Sequence, residues 1–145
     1  MKYENQMELK FLAKSENEAF ARSVIACFAL KLKPNVAQIS DIKTAVSEAV
    51  TNAIVHGYPK EVGDIVMKAE IDDYNLHIKV IDYGVGIDDV NMAVEPFYTT
   101  KPEEERSGMG FTIMKSFMDD VKVTSQKNVG TTVYMLKKIE SNNSL

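Results

Sequence analysis

The chain has one cysteine, Cys27, and no tryptophan among its 145 residues. A single thiol excludes an internal disulfide framework and fits a reducing compartment. Phe20, Val24 and Phe28 share its helical face, which predicts a cysteine packed against the core. Basic charge is scarce too. The 17 Lys and Arg against 21 Asp and Glu give a formal net charge of -4, and the cations are scattered rather than gathered into a stripe. The electrostatic footprint of a nucleic-acid binder is therefore missing, and any attraction for phosphate must be local. No charged-then-apolar leader and no apolar run near the roughly 18 residues of a membrane span is found. These absences predict a cytoplasmic protein that touches neither nucleic acid nor membrane.

What is present suits one globular unit, because 45% hydrophobic and 26% charged residues can build a single core at this length. Residues 1–145 read as one domain. Met7, Leu9, Phe11 and Ala13 alternate with more polar residues and predict a half-buried first strand. Ser15 and Glu18 have the spacing of a capping box, so a first helix is expected from there to about Leu32. After Pro34 and Asn35, a second helix is expected from about Ser40 to Gly57. Ile65–Ile71 and Leu76–Ile81 alternate around Asp72, Asp73, Tyr74 and Asn75, which predicts an antiparallel hairpin. Residues 83–110 read mostly as loop, with a short helical pattern from Val90 to Glu95. A third helix over Gly110–Met118, strands over Val121–Ser125 and Thr131–Leu136, and a polar tail at 140–145 complete the order. This succession predicts an α+β fold with helices layered on one face of a largely antiparallel sheet.

Glu48, Asn52 and His56 are spaced by four, so on an α-helix they form one stripe. Ile42, Val46, Ala49 and Ala53 form the core-facing stripe, with Lys43, Thr44, Ser47 and Thr51 opposite. The polar triad thus falls at the border of the apolar face. An asparagine oxygen suits Mg²⁺, which takes octahedral oxygen ligands and commonly bridges nucleotide phosphates. A carboxylate one turn earlier can accept a proton from an attacking hydroxyl. On their own, Glu48 and Asn52 read first as ordinary polar residues of a helix border, and His56 as a hydrogen-bonded structural histidine rather than a metal ligand.

Asp82 ends an apolar strand and is followed by Gly84 and Gly86. Such glycines allow close backbone approach to a flat ligand, and the carboxylate can accept a hydrogen bond from an adenine amino group. A plain glycine turn with a solvated aspartate is the alternative. Gly108 and Gly110 form a second pair where a loop enters a helix, and amides at a helix N-terminus suit phosphate oxygens. Neither a P-loop nor a Rossmann fingerprint occurs. Between the pairs, Phe97 to Ser107 reads as a flexible lid at about 96–110. Lys101 and Arg106 could neutralise phosphate there, while Glu103, Glu104 and Glu105 face solvent or a basic partner.

Taken in order, Glu48-x-x-x-Asn52-Ala53-x-x-His56-Gly57, Asp82-x-Gly84-x-Gly86, Gly108-x-Gly110 and Gly130-Thr131-Thr132 resemble four motifs of one superfamily. They are the ATP-binding boxes of the gyrase, Hsp90, histidine-kinase and MutL proteins. Val46 to Ile54, Thr99-Thr100-Lys101-Pro102 and Arg106 to Met114 further resemble the anti-sigma factors of spore-forming bacteria within it. The resemblance implies the superfamily's two-layer α/β sandwich (the Bergerat fold) on a mostly antiparallel mixed sheet. It also implies a serine kinase using ATP and Mg²⁺, a homodimer, a sporulation sigma factor as partner and an anti-anti-sigma factor as substrate. Carried over, Glu48 would be the general base and Asn52 the Mg²⁺ ligand. Asp82 would be the adenine acceptor and Thr132 a second adenine-side contact. Gly84, Gly86, Gly108 and Gly110 would line the pocket, with Thr99 and Lys101 on the nucleotide side. Arg22 and Arg106 would touch partners, although a solvated surface arginine is the simpler reading of Arg22. A binding module that uses ATP only to set its shape is the other class consistent with these motifs. A sensor kinase is disfavoured, since no helix pair carries an acceptor histidine and His77 sits within a strand pattern.

Overall fold

A computed structural model of the protein describes residues 4–88, 90 and 110–139. β1 (Asn5–Leu12) leads into α1 (Glu16–Ala29), which tightens into a 3-10 turn at Leu30–Leu32. α2 (Val36–Asn52) widens into a π-helical turn at Ala53–Gly57. β2 (Asp64–Asp72) and β3 (Asn75–Asp82) form the expected hairpin, and α3 (Gly110–Phe117), β4 (Asp120–Gln126) and β5 (Gly130–Lys138) follow. Apart from Val90 and Gly110, the helix expected over Val90–Glu95, the lid with Thr99, Lys101, Arg106 and Gly108, and the tail at 140–145 lie outside the described residues.

The strands run in the order β1-β2-β3-β5-β4. All four pairings are antiparallel, where a mostly antiparallel, mixed sheet was expected. Because side chains alternate across the pleat, each register line is a row on one face. Leu9, Met67, Val80, Val133 and Val123 form one inner row, and Met7, Ala69, Ile78, Met135 and Val121 the next. These rows join Ala21, Ile25 and Ala29 of α1, Ile42, Val46 and Ala49 of α2 and Met114 of α3 in one core. The helices therefore cover one face of the sheet, in two layers. Each fully buried Ile, Leu or Met side chain there stabilises the fold by about 1.5–3 kcal/mol relative to exposure.

Three local expectations change. Ser15 makes no side-chain cap, and the Glu18 carboxylate pairs instead with Arg22 at 3.4 Å, one turn along the helix. The capping box belongs to Asn35 and Gln38, whose side chains each accept the other's backbone N–H at 2.8 and 3.0 Å, so α2 starts at Val36 rather than near Ser40. Cys27 is exposed. The buried stripe of α1 is Ala21, Ile25 and Ala29, and two residues on from Ile25 a helix has turned about 200°, which points Cys27 away from the core.

One cation ties the layers together. Lys137, with 12% of its side chain exposed, donates to Asp41 Oδ2 of α2 at 3.1 Å and to the Phe117 carbonyl at the end of α3 at 2.5 Å. Lys137→Met keeps the stem but leaves a carboxylate and a helix-terminal carbonyl without their shared donor. It is expected to cost about 2 kcal/mol, the range for hydrogen bonds to charged groups. A thermal melt should show a fall of about 5 °C for a chain of this length.

Candidate functional site

The inner face of the sheet loses its apolar pattern at one end. Across the row that begins with Phe11 and Ile65, the next positions are Asp82, Thr131 and Ser125. Asp82 is 5% exposed. Burial pushes its carboxyl above the usual carboxylate range, opposed by backbone amides of Gly84 and Thr131, and the Gly84 amide donates to Oδ1 at 2.9 Å. Half of the carboxylate's acceptor capacity is thus used to hold it in place, and the remainder can serve a ligand.

The end of α2 closes over this residue. A β-carbon on Gly57 would stand 2.8 Å from the Asp82 carboxyl carbon, so only glycine lets the helix end lie against it. The Gly57 carbonyl accepts from the Val85 amide at 2.9 Å. A β-carbon on Gly84 would collide with that same oxygen. Gly86 has φ +77, the left-handed region that glycine adopts freely, and its open side is filled by the backbone of Gln126. The two glycines sequence reading placed along a ligand are therefore required first by the packing of the loop against the helix end and the β4–β5 turn.

That turn is joined to the loop a second time. Ser125 Oγ accepts from the Ile87 amide at 2.8 Å, donates to the Gly130 carbonyl at 3.0 Å and lies 2.7 Å from the Thr131 hydroxyl. The pleat sends Thr132 to the opposite face, in register with Ile81 and Thr124, so the threonine beside Asp82 is Thr131. Nothing in the sequence alone set that parity, because it depends on which residue of β3 pairs with which of β5.

Glu48 and Asn52 are both half-buried on α2, one turn apart as expected. Asn52 is the last α-helical residue. The π turn then takes up a longer turn, so the four-residue stripe holds for Glu48 and Asn52 but does not continue unchanged to His56, which is half-buried within it. Glu48 lines a groove of about 400 Å³ between α1 and α2, together with Arg22, Ile39, Lys43 and Ser47. Asp82 is not part of that lining. One helix thus faces two places: the groove with Arg22 through Glu48, and the Asp82 carboxyl through Gly57. Gly110, buried, opens α3.

No helix among the described residues is long and apolar enough to cross a membrane.

Comparison with known proteins gives the class first. Residues 11–137 match the histidine kinase-like ATPase domain. The chain is 57% identical over 135 residues to the Anti-sigma F factor of Clostridium acetobutylicum, covering 93% of this chain and 94% of that protein. It is 55% identical over 142 residues to the Anti-sigma F factor of Caldanaerobacter subterraneus subsp. tengcongensis, covering 98% and 99%. The crystal structure of the RsbU and RsbW domains of a Mycobacterium tuberculosis protein superposes with a TM-score of 0.67 at 20% identity, over 93% of this chain and 32% of that one, and bears on the fold alone. The chain belongs to the histidine kinase-like ATPase family and, within it, to the anti-sigma F factors.

Proposed function

We propose that the protein binds ATP with Mg²⁺, restrains a sporulation sigma factor, and transfers the γ-phosphoryl group to a serine of an anti-anti-sigma factor. The observation that carries this reading is the placement of Glu48 in the α1–α2 groove beside Arg22, on the helix whose C-terminal end abuts Asp82. Asp82 would accept from the adenine amino group, and the backbone around Gly84 and Gly86 would wall the base. A partner's serine entering the groove would meet the Glu48 carboxylate, which takes the hydroxyl proton as the oxygen attacks the γ-phosphorus and ADP leaves. Arg22, already oriented by Glu18, would pair with an acidic group of either partner.

The residues present fit Mg²⁺. Among the described residues no cluster of three His, Cys, Asp or Glu forms a cation cage. Asn52 would supply a neutral oxygen one helical turn from Glu48. Mg²⁺ bound with a nucleotide takes one or two protein ligands and fills its octahedron with phosphate oxygens and water. Bound there, it would neutralise phosphate charge during transfer. A homodimer in the cytoplasm is the form in which the protein is expected to work.

Incubation with γ-labelled ATP and an anti-anti-sigma protein tests the reading. Label on a partner serine is expected. Nucleotide-dependent sigma-factor binding with no transfer at all would leave the other class, a binding module that uses ATP only to set its shape.

The raised carboxyl of Asp82 gives this reading a pH dependence. Recognition of the adenine amino group needs the carboxylate, so below the raised folded value ATP binding must expel a proton. Affinity is expected to increase with pH up to that value and then level off. The ATP-free protein is expected to show the opposite trend: its folded state holds the proton more tightly than the unfolded chain, so stability should fall as pH rises from the ordinary carboxylate range through the raised value. Asp82→Asn should remove the pH dependence and weaken ATP binding about tenfold or more, the worth of a hydrogen bond to a charged group. Calorimetry at several pH values reads both, and unchanged affinity in Asp82→Asn removes the residue from the site.

A further inference from the structure

Tyr58 follows the π turn and is 6% exposed. Its hydroxyl donates to the Asp64 carbonyl at the start of β2 at 2.6 Å and accepts from the Tyr83 amide, one residue past Asp82, at 2.7 Å. One oxygen therefore joins the end of the helix, the first residue of β2 and the loop that leaves β3. The ring fills the space over Gly63, where any β-carbon would collide with it. The neighbouring Gly57 carbonyl holds Val85, so Tyr83 and Val85 are both hydrogen-bonded to consecutive residues of the helix end, with Gly84 between them.

We propose that Tyr58 is a positioning residue for base recognition: its hydroxyl fixes the backbone on which the Asp82 carboxylate stands, and so sets how strongly the site prefers adenine. The proposal rests on the reading of Asp82 as the adenine acceptor. The chemistry of the strut supports it. The Asp82 side chain is held through the Gly84 amide, and Gly84 is held in turn only if the loop keeps its distance from the helix. A loop free to move by a few tenths of an ångström would let the carboxylate turn, and base discrimination depends on an acceptor aimed at one atom. Burial raises the phenol's pKa above its ordinary value, opposed next by the Tyr83 amide and aided by the lesser effects of the Asp82, Asp64 and Glu61 charges. The hydroxyl therefore keeps its proton and can donate to Asp64 throughout the physiological range.

Inosine triphosphate is the discriminating probe, because it carries a carbonyl where adenine carries the amino group and would set acceptor against acceptor at Asp82. Calorimetry on the whole chain should find ATP preferred over inosine triphosphate by about tenfold or more in the wild type. Tyr58→Phe keeps the ring over Gly63 and removes only the hydroxyl, and is expected to reduce that preference to about threefold or less, converting to a loss of about 0.7 kcal/mol or more of discrimination. Ile71→Val, a core change at the far end of the β2–β3 hairpin, lowers stability by a comparable amount and should keep the full preference. A Tyr58→Phe protein with the wild-type preference overturns the proposal. If that variant does not fold, Gly63→Ala, which displaces the ring while retaining the hydroxyl, must lower the preference in its place, and an unchanged ratio there overturns the proposal equally. A wild type that binds ATP without preferring it defeats the adenine reading of Asp82 itself, and the proposal with it.

Discussion

Glu48→Gln is expected to lower the rate of phosphoryl transfer by about 10² to 10⁴-fold, the usual contribution of a general base, while ATP affinity stays nearly unchanged. The amide matches the carboxylate in size and polarity but cannot take up the serine proton. Binding survives because Glu48 faces the α1–α2 groove, whereas the proposed adenine acceptor, Asp82, lies against Gly57 at the C-terminal end of the helix. Restraint of the sigma factor in the presence of ATP should also persist, since it needs the nucleotide-bound shape and no proton transfer. Asn52→Ala makes the paired comparison: losing the proposed Mg²⁺ ligand should weaken ATP binding in the presence of the metal and slow transfer together. Transfer rates and sigma-factor affinity measured on the same preparations separate the two residues, and full kinase activity in Glu48→Gln would end its assignment as the base.

Gly84→Ala should damage the protein more broadly. The added methyl group has to occupy the position of the Gly57 carbonyl oxygen, which is backbone and cannot rotate away. Either the loop or the helix end must shift. The Val85–Gly57 hydrogen bond and the Gly84 amide's bond to Asp82 would be lost or lengthened with that shift. Overpacking of this kind costs about 3 kcal/mol at the upper end of its usual range. For a chain of this length that corresponds to a drop of about 10 °C in Tm. ATP binding should fall below detection even at temperatures where the variant is folded, and ordinary affinity in a folded Gly84→Ala protein would show that the helix end and the loop are not one unit.

Much of this arrangement was legible beforehand. Alternation in Ile65–Ile71 and Leu76–Ile81 around a polar turn defines a hairpin, and apolar spacing through Ile42, Val46 and Ala49 defines the face that α2 buries. Asp82 stood out because a charge ended an apolar strand. Part of what escaped depends on pairings distant in sequence, and part on backbone geometry within one helix. The π turn does not alter the identity of any residue, so a period of 3.6 continues straight through it on paper. Tyr58 acts on Asp64 and Tyr83, and Ser125 on Ile87, across separations that no local pattern registers. The parity that selects Thr131 over Thr132 follows from strand register. The capping box expected at Ser15 and Glu18 does not form because Ser15 already has helical backbone angles, φ -56 and ψ -33, whereas Asn35 is extended and its side chain turns back to the Gln38 amide. Cys27 is exposed because α1 has apolar residues on more than one side, and only packing decides which side is inward.

The five residues of the π turn act as a fixed phase offset between two patterns read from the same helix. In an α-helix each residue advances the chain by 1.5 Å and about 100°, and the π turn departs from that count, so removing one residue between Asn52 and Tyr58 would change both the rise and the phase of the Gly57 carbonyl relative to Glu48. Its bond to Val85 and the Tyr58 hydroxyl's bond to Tyr83 would then point elsewhere, with every side chain still of a suitable type. Substitution can be tolerated along much of this stretch, but a change of length cannot. The neighbouring exposed segment at residues 59–62 faces no such demand, and insertions accepted by the protein should be found there rather than four residues upstream.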